Sequence, residues 1–76
     1  MDAREVTLSM IQDSGMNDRQ VSIKLGMSPR YLSNIIYRGS RPNSDTLARV
    51  ADACGYDLLV RRRIDEMEIL IDPYEG

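Results

Sequence analysis

The chain has no histidine and a single cysteine, Cys54. The usual zinc, haem and acid–base sites therefore lack their ligands. No nucleophile–base pair or metal cluster can be assembled, so neither enzymatic activity nor a cofactor is expected. One cysteine also excludes an internal disulfide, which suits a reducing cytoplasm. Long apolar runs are missing too. No stretch reaches membrane-spanning length, and no charged-then-apolar leader pattern opens the chain. A cytoplasmic protein with no membrane partner is the expectation. Size is the last scarcity: 76 residues make one small domain with a modest core, which partners often help to stabilise.

What remains is 42% apolar residues, enough to fold, and an uneven distribution of charge. The net charge is −2, which on its face argues against nucleic acid. Residues 17–49 nevertheless carry six cations (Arg19, Lys24, Arg30, Arg38, Arg41, Arg49) against two acids, Asp18 and Asp45. The acids concentrate before and after that stretch. Salt screens fields beyond about 8 Å, so a phosphate would feel the local cations more than the distant acids.

Four helical segments can be read from spacing and punctuation. In the first, Val6, Met10 and Ile11 share a stripe that Ala3 and Ser14 continue, and Gly15 stands where a left-handed cap belongs. Asn17 is a good N-cap for the second, with Gln20 placed to close a capping box. Val21 and Leu25 face inward there, and Gly26 ends the helix. Ser28 is expected to cap the third helix, with Pro29 at its first position. Leu32, Ile35 and Ile36 form its inner stripe. After a loop at residues 40–43, Asn43 or Ser44 caps a fourth helix. Leu47, Val50, Ala51 and Cys54 recur in it at helical spacing, and Gly55 stops it. Cys54 is read as a small core residue.

Residues 17–46 thus read as a helix–turn–helix. Two helices meeting steeply need a tight turn, which Gly26 can supply with positive φ. Ser22 must be small because the following helix crosses near it. If Leu32, Ile35 and Ile36 are inside, then Pro29, Arg30, Ser33, Asn34 and Tyr37 are outside. Arginine can fork onto guanine O6 and N7, and asparagine can pair with adenine N6 and N7, so Arg30 and Asn34 are candidate base readers. Ser33 allows close approach and Pro29 could meet a thymine methyl. Tyr37, Arg38 and Arg41 lie where backbone contact is expected. Asn17 and Arg19 open the second helix, whose first N–H groups could also accept a phosphate. Tyr31 is a border residue that could pack on the second helix or touch DNA.

From Val6 to Tyr56 the chain resembles the lambda-repressor-like (Cro/Xre) family of helix-turn-helix DNA-binding domains. Val21-Ser22 occupies the family's apolar-then-small pair. Leu25-Gly26-Met27-Ser28 matches its Leu-Gly-apolar-Ser turn, and Leu32 and Ile35 match two buried recognition-helix positions. Pro42-Asn-Ser-Asp-Thr-Leu47 resembles the start of its next helix. The resemblance implies a DNA-contacting set of Asn17, Arg19, Ser28, Pro29, Arg30, Ser33, Asn34, Tyr37, Arg38 and Arg41. Asp18 departs from the pattern, since the family usually has a neutral polar residue there. An acid there either faces phosphates or serves only the helix N-terminus.

Beyond Tyr56 the period changes. Leu58-Leu-Val60 and Ile69-Leu-Ile71 are separated by charged residues and read as a hairpin turning at Asp65-Glu66. In that register Val60 pairs with Ile71, Arg62 with Ile69, Ile64 with Met67 and Arg63 with Glu68. A fifth helix over 58–70 is the competing reading. Arg61-Arg62-Arg63 is either a phosphate patch or the polar side of a strand. Pro73-Tyr-Glu-Gly76 reads as a loose tail.

The expected architecture is mainly α: a four-helix lambda-repressor-like domain over 1–56, a short C-terminal β-hairpin over 57–72, and a tail over 73–76. The two runs are too apolar for a freely exposed hairpin edge, so Leu58, Leu59, Val60, Ile69, Leu70 and Ile71 are expected to form a homodimer interface. The expected function is a transcriptional repressor that binds double-stranded DNA at a palindromic operator. Related domains with a strand after the fourth helix serve as antitoxins that bind their own promoters. The alternative is therefore an adaptor whose acidic C-terminal segment holds a basic protein partner, such as a toxin.

Overall fold

Helix starts are set by short polar side chains that take up free backbone N–H groups. Asp2 Oδ1 accepts the Glu5 N–H at 2.9 Å and Glu5 reaches back to the Asp2 N–H, a capping box not anticipated from the sequence. Asn17 and Gln20 form the expected one. Asn43, not Ser44, caps the fourth helix through the Thr46 N–H.

The computed structural model describes residues 1–74. It has α1 (Ala3–Ser14), α2 (Asp18–Lys24), α3 (Tyr31–Tyr37), α4 (Ser44–Ala53), β1 (Leu59–Arg61) and β2 (Glu68–Leu70). The α2–α3 pair leans on α4, which packs along α1. Met10, Ile11, Val21, Leu32, Ile36 and Val50 make the centre of the core, and Ile35, Leu47 and Cys54 pack around it. Burial pushes the Cys54 thiol up from its ordinary pKa, consistent with a packing role.

Several buried residues escaped the apolar pattern, Thr7 among them. Thr7 is fully buried on α1, and its hydroxyl donates to the Ala3 carbonyl at 2.7 Å. Because the hydroxyl is satisfied locally, burying it costs little.

The third helix starts later than expected. Ser28 was to cap it and Pro29 to open it, but α3 begins at Tyr31, with Pro29 and Arg30 in a preceding turn. The Ser28 carbonyl, not its hydroxyl, takes the Tyr31 N–H at 3.0 Å. That three-residue closure is tighter than an α-helical turn and delays the first helical residue.

The C-terminal segment is an antiparallel hairpin, not a fifth helix. Its register differs by two residues from the expected one: Leu59 pairs with Leu70, Val60 with Ile69 and Arg61 with Glu68. A two-residue Asp65-Glu66 turn would favour positive φ at both centres, and neither residue is a glycine. Instead residues 63–66 form a longer loop in which only Glu66 has positive φ, at 60°. Arg62 N–H to Met67 O (2.8 Å) and Glu66 N–H to Arg62 O (2.9 Å) close it. The Asp65 carboxylate braces the loop by accepting from the Arg62 guanidinium and the Met67 N–H. Arg63 and Ile64 therefore stand at the tip, not in pairs.

The hairpin base is tied down. Tyr56 Oη donates to Asp13 of α1 at 3.3 Å, and Arg49 of α4 donates to the Pro73 carbonyl at 3.1 Å. Pro73 is thus held rather than loose; Glu75 and Gly76 of the expected tail lie outside the described residues.

Candidate nucleic-acid interface

The turn between α2 and α3 decides where the outward residues point. Gly26 has φ +77°. Its N–H reaches the Ile23 carbonyl at 2.9 Å, and the Met27 N–H reaches Ser22 O at 3.1 Å. This paired closure ends a helix and reverses the chain, and it needs a left-handed residue at the position of Gly26. The chain then turns back so that α3 lies across α2. There the Ser22 hydroxyl donates to Asp18 O at 2.7 Å and accepts the Leu32 N–H at 3.1 Å. Ser22 is small, as expected, and it is also a hydrogen-bonded joint between the two helices, which the sequence reading missed.

This geometry opens a cleft of about 500 Å³ lined by Asp18, Arg19, Ser28, Pro29, Arg30 and Ser33. Five of the ten candidate residues thus meet in one place. Arg30 and Pro29 are exposed, and Ser33 is half-buried with its hydroxyl donating to the Arg30 carbonyl. Among the described residues, the Arg30 guanidinium makes no ion pair within the chain. Asn34, Tyr37 and Arg38 continue the exposed row along α3 to its C-terminal end, with Tyr37 79% exposed. Arg41 follows in the loop, exposed, with its guanidinium 3.6 Å from Asp2.

Two of the first N–H groups of α2 are already taken: Asp18 accepts from Arg19 N–H at 3.0 Å, and Asn17 from Gln20 N–H at 2.8 Å. Asn17 therefore spends its side-chain oxygen on the cap. Asp18 belongs to the cleft wall and puts one carboxylate among the arginines.

Other cations serve the fold. Lys24 Nζ donates to Ala53 O at 3.0 Å, at the end of α4. Arg4 Nε donates to Ile36 O at 2.8 Å, holding the C-terminal turn of α3 against α1. Nothing in the helical periodicity marks Arg4 for that role, because its partner is 32 residues away. Tyr31 turns to α4, where its hydroxyl lies 3.2 Å from Thr46 Oγ1.

The six hairpin residues divide by their distance from the helices. Leu58 and Ile71 are half-buried at its base, while Leu59, Val60, Ile69 and Leu70 are exposed, the last at 60%. No helix among the described residues is long and apolar enough to cross a membrane.

A model of the helix-turn-helix family matches residues 9–60, more than half of the chain. No match was found among curated proteins or among solved structures.

Proposed function

We propose a specific form of DNA-binding regulation for this chain, which belongs to the lambda-repressor-like helix-turn-helix family. In this reading it is a cytoplasmic, sequence-specific repressor that binds a palindromic operator as a homodimer. The observation that carries it is the row Arg30, Ser33 and Asn34 at the opening of α3, with Arg30 and Asn34 exposed and Arg30 in no ion pair among the described residues, beside a cleft open to solvent. Arg30 and Asn34 have the donor geometry to read base edges. Arg19, Tyr37, Arg38 and Arg41 flank them for phosphate contact. One module of this size buries too little DNA for tight specific binding, and a second copy on a two-fold site supplies the rest. Promoter occlusion is the simplest output of such a chain.

Selection of bound sequences from random duplex DNA, followed by footprinting, tests this. The expected result is an enriched pseudo-palindrome whose half-site centres lie about 34 Å apart, one DNA turn. Binding without any enriched sequence would overturn sequence-specific regulation.

A second reading is favoured by the hairpin alone. Its exposed apolar residues and surrounding acids suit a basic protein partner, as an antitoxin-like adaptor would have. A stable one-to-one complex with the product of a neighbouring gene would support it.

A further inference from the structure

The hairpin has two different faces. The register puts Leu58, Val60, Arg62, Met67, Ile69 and Ile71 on one side and Leu59, Arg61, Glu68 and Leu70 on the other. The first face begins in the core, where Leu58 packs. It runs outward through Val60, Ile69 and Met67, which are about half exposed. Leu58 also lines a groove of about 300 Å³ between α1, α4 and the hairpin base, floored by Val6, Met10, Leu47 and Ala51. An apolar ridge and an apolar groove therefore meet at one residue.

The amount of exposed surface is unusual. The chain exposes 5543 Å². A compact monomer of 8.7 kDa would expose about 4,700 Å². The hairpin, with Leu59, Val60, Met67, Ile69 and Leu70 all exposed, contributes to that excess. A two-fold interface must be self-complementary, so the same patch must hold a projection and its socket. Charge fits as well. Asp13 and Asp57 stand on the groove rim, and Arg63 stands at the hairpin tip in no ion pair among the described residues.

We infer that two copies exchange hairpins: the Val60–Ile69–Met67 face of each lies across the α1–α4 groove of the other, with Arg63 reaching the partner's acidic rim. This rests on the homodimer reading above and deepens it by naming the seat. In this arrangement the hairpin seats on the partner's helices and no strand pairs across the two-fold.

The test is a charge exchange on the full-length protein, read by sedimentation equilibrium, with circular dichroism to verify the fold. Arg63→Glu and Asp57→Arg alter exposed side chains outside the core. Each alone should weaken self-association about tenfold, and the double variant should recover most of that loss. The single-variant effects should shrink in high salt. If both single variants and the double variant dimerise like the parent, hairpin exchange is wrong, while the homodimer reading stands. If the parent itself sediments as a monomer at micromolar concentration, both fail.

Discussion

The buried hydroxyl of Ser22 accepts the backbone N–H of Leu32 at 3.1 Å, ten residues along the chain. The same hydroxyl donates to Asp18 O, so one oxygen joins the start of α2 to the start of α3. Ser22 is completely buried, and water cannot replace it as a partner. Ser22→Ala leaves the Leu32 N–H unsatisfied and should cost roughly 1–3 kcal/mol in urea unfolding. Affinity for DNA should fall too, because the joint orients α3. A variant as stable as the parent would show that the bond contributes nothing.

Gly26 tests the turn differently. A Cβ there would meet nothing within 4 Å, yet φ is +77°. The cost of a side chain is therefore backbone strain, without crowding. Gly26→Val should destabilise the fold by about 2 kcal/mol or more, and Gly26→Asn by clearly less, because asparagine tolerates left-handed φ. Equal melting temperatures for the two variants would show that the left-handed φ is not what Gly26 supplies.

Arg30 and Arg41 should separate base reading from phosphate attraction. Arg30→Ala is expected to weaken operator binding by roughly 1–3 kcal/mol and to relax preference at one guanine. Arg41→Ala should weaken specific and non-specific binding alike and reduce the salt dependence. The check is competition binding with operator and scrambled duplexes at several salt concentrations. Equal losses on both duplexes for Arg30→Ala would remove it as a base reader.

Acid should loosen both ends of the chain. The Glu5 N–H hydrogen bond, helped by Arg41, holds the Asp2 carboxyl below its ordinary range. The Arg62 guanidinium, with the Met67 N–H, does the same for Asp65. A lowered folded pKa favours the ionised form in the fold. The stability from each is thus present above about pH 4 and is lost as pH falls through the lowered value. Thermal melts between roughly pH 2 and pH 6 should show this decline, and Asp2→Asn and Asp65→Asn should each flatten it. A decline unchanged in both variants would assign acid sensitivity to other carboxylates.

The sequence alone determined the four helices, the Asn17 box, the Gly26 turn and the outward row from Pro29 to Tyr37. These depend on interactions within about four residues: caps, a 3.6-residue period, and a glycine where φ must be positive. Such terms are written in neighbouring letters. The hairpin was legible as two apolar runs about a charged centre, though not its register.

The tertiary structure decided what depends on distant partners. Thr7 and Ser22 could enter the core only because Ala3, Asp18 and Leu32 satisfy their hydroxyls. Arg4 was claimed by Ile36 and Lys24 by Ala53, which took two cations out of the solvated set. The register moved by two residues because the Asp65 carboxylate could brace a longer loop with a single strained residue. Apolar alternation is the same after a shift of two, so the pattern of hydrophobic residues could not choose between the registers; the loop geometry did.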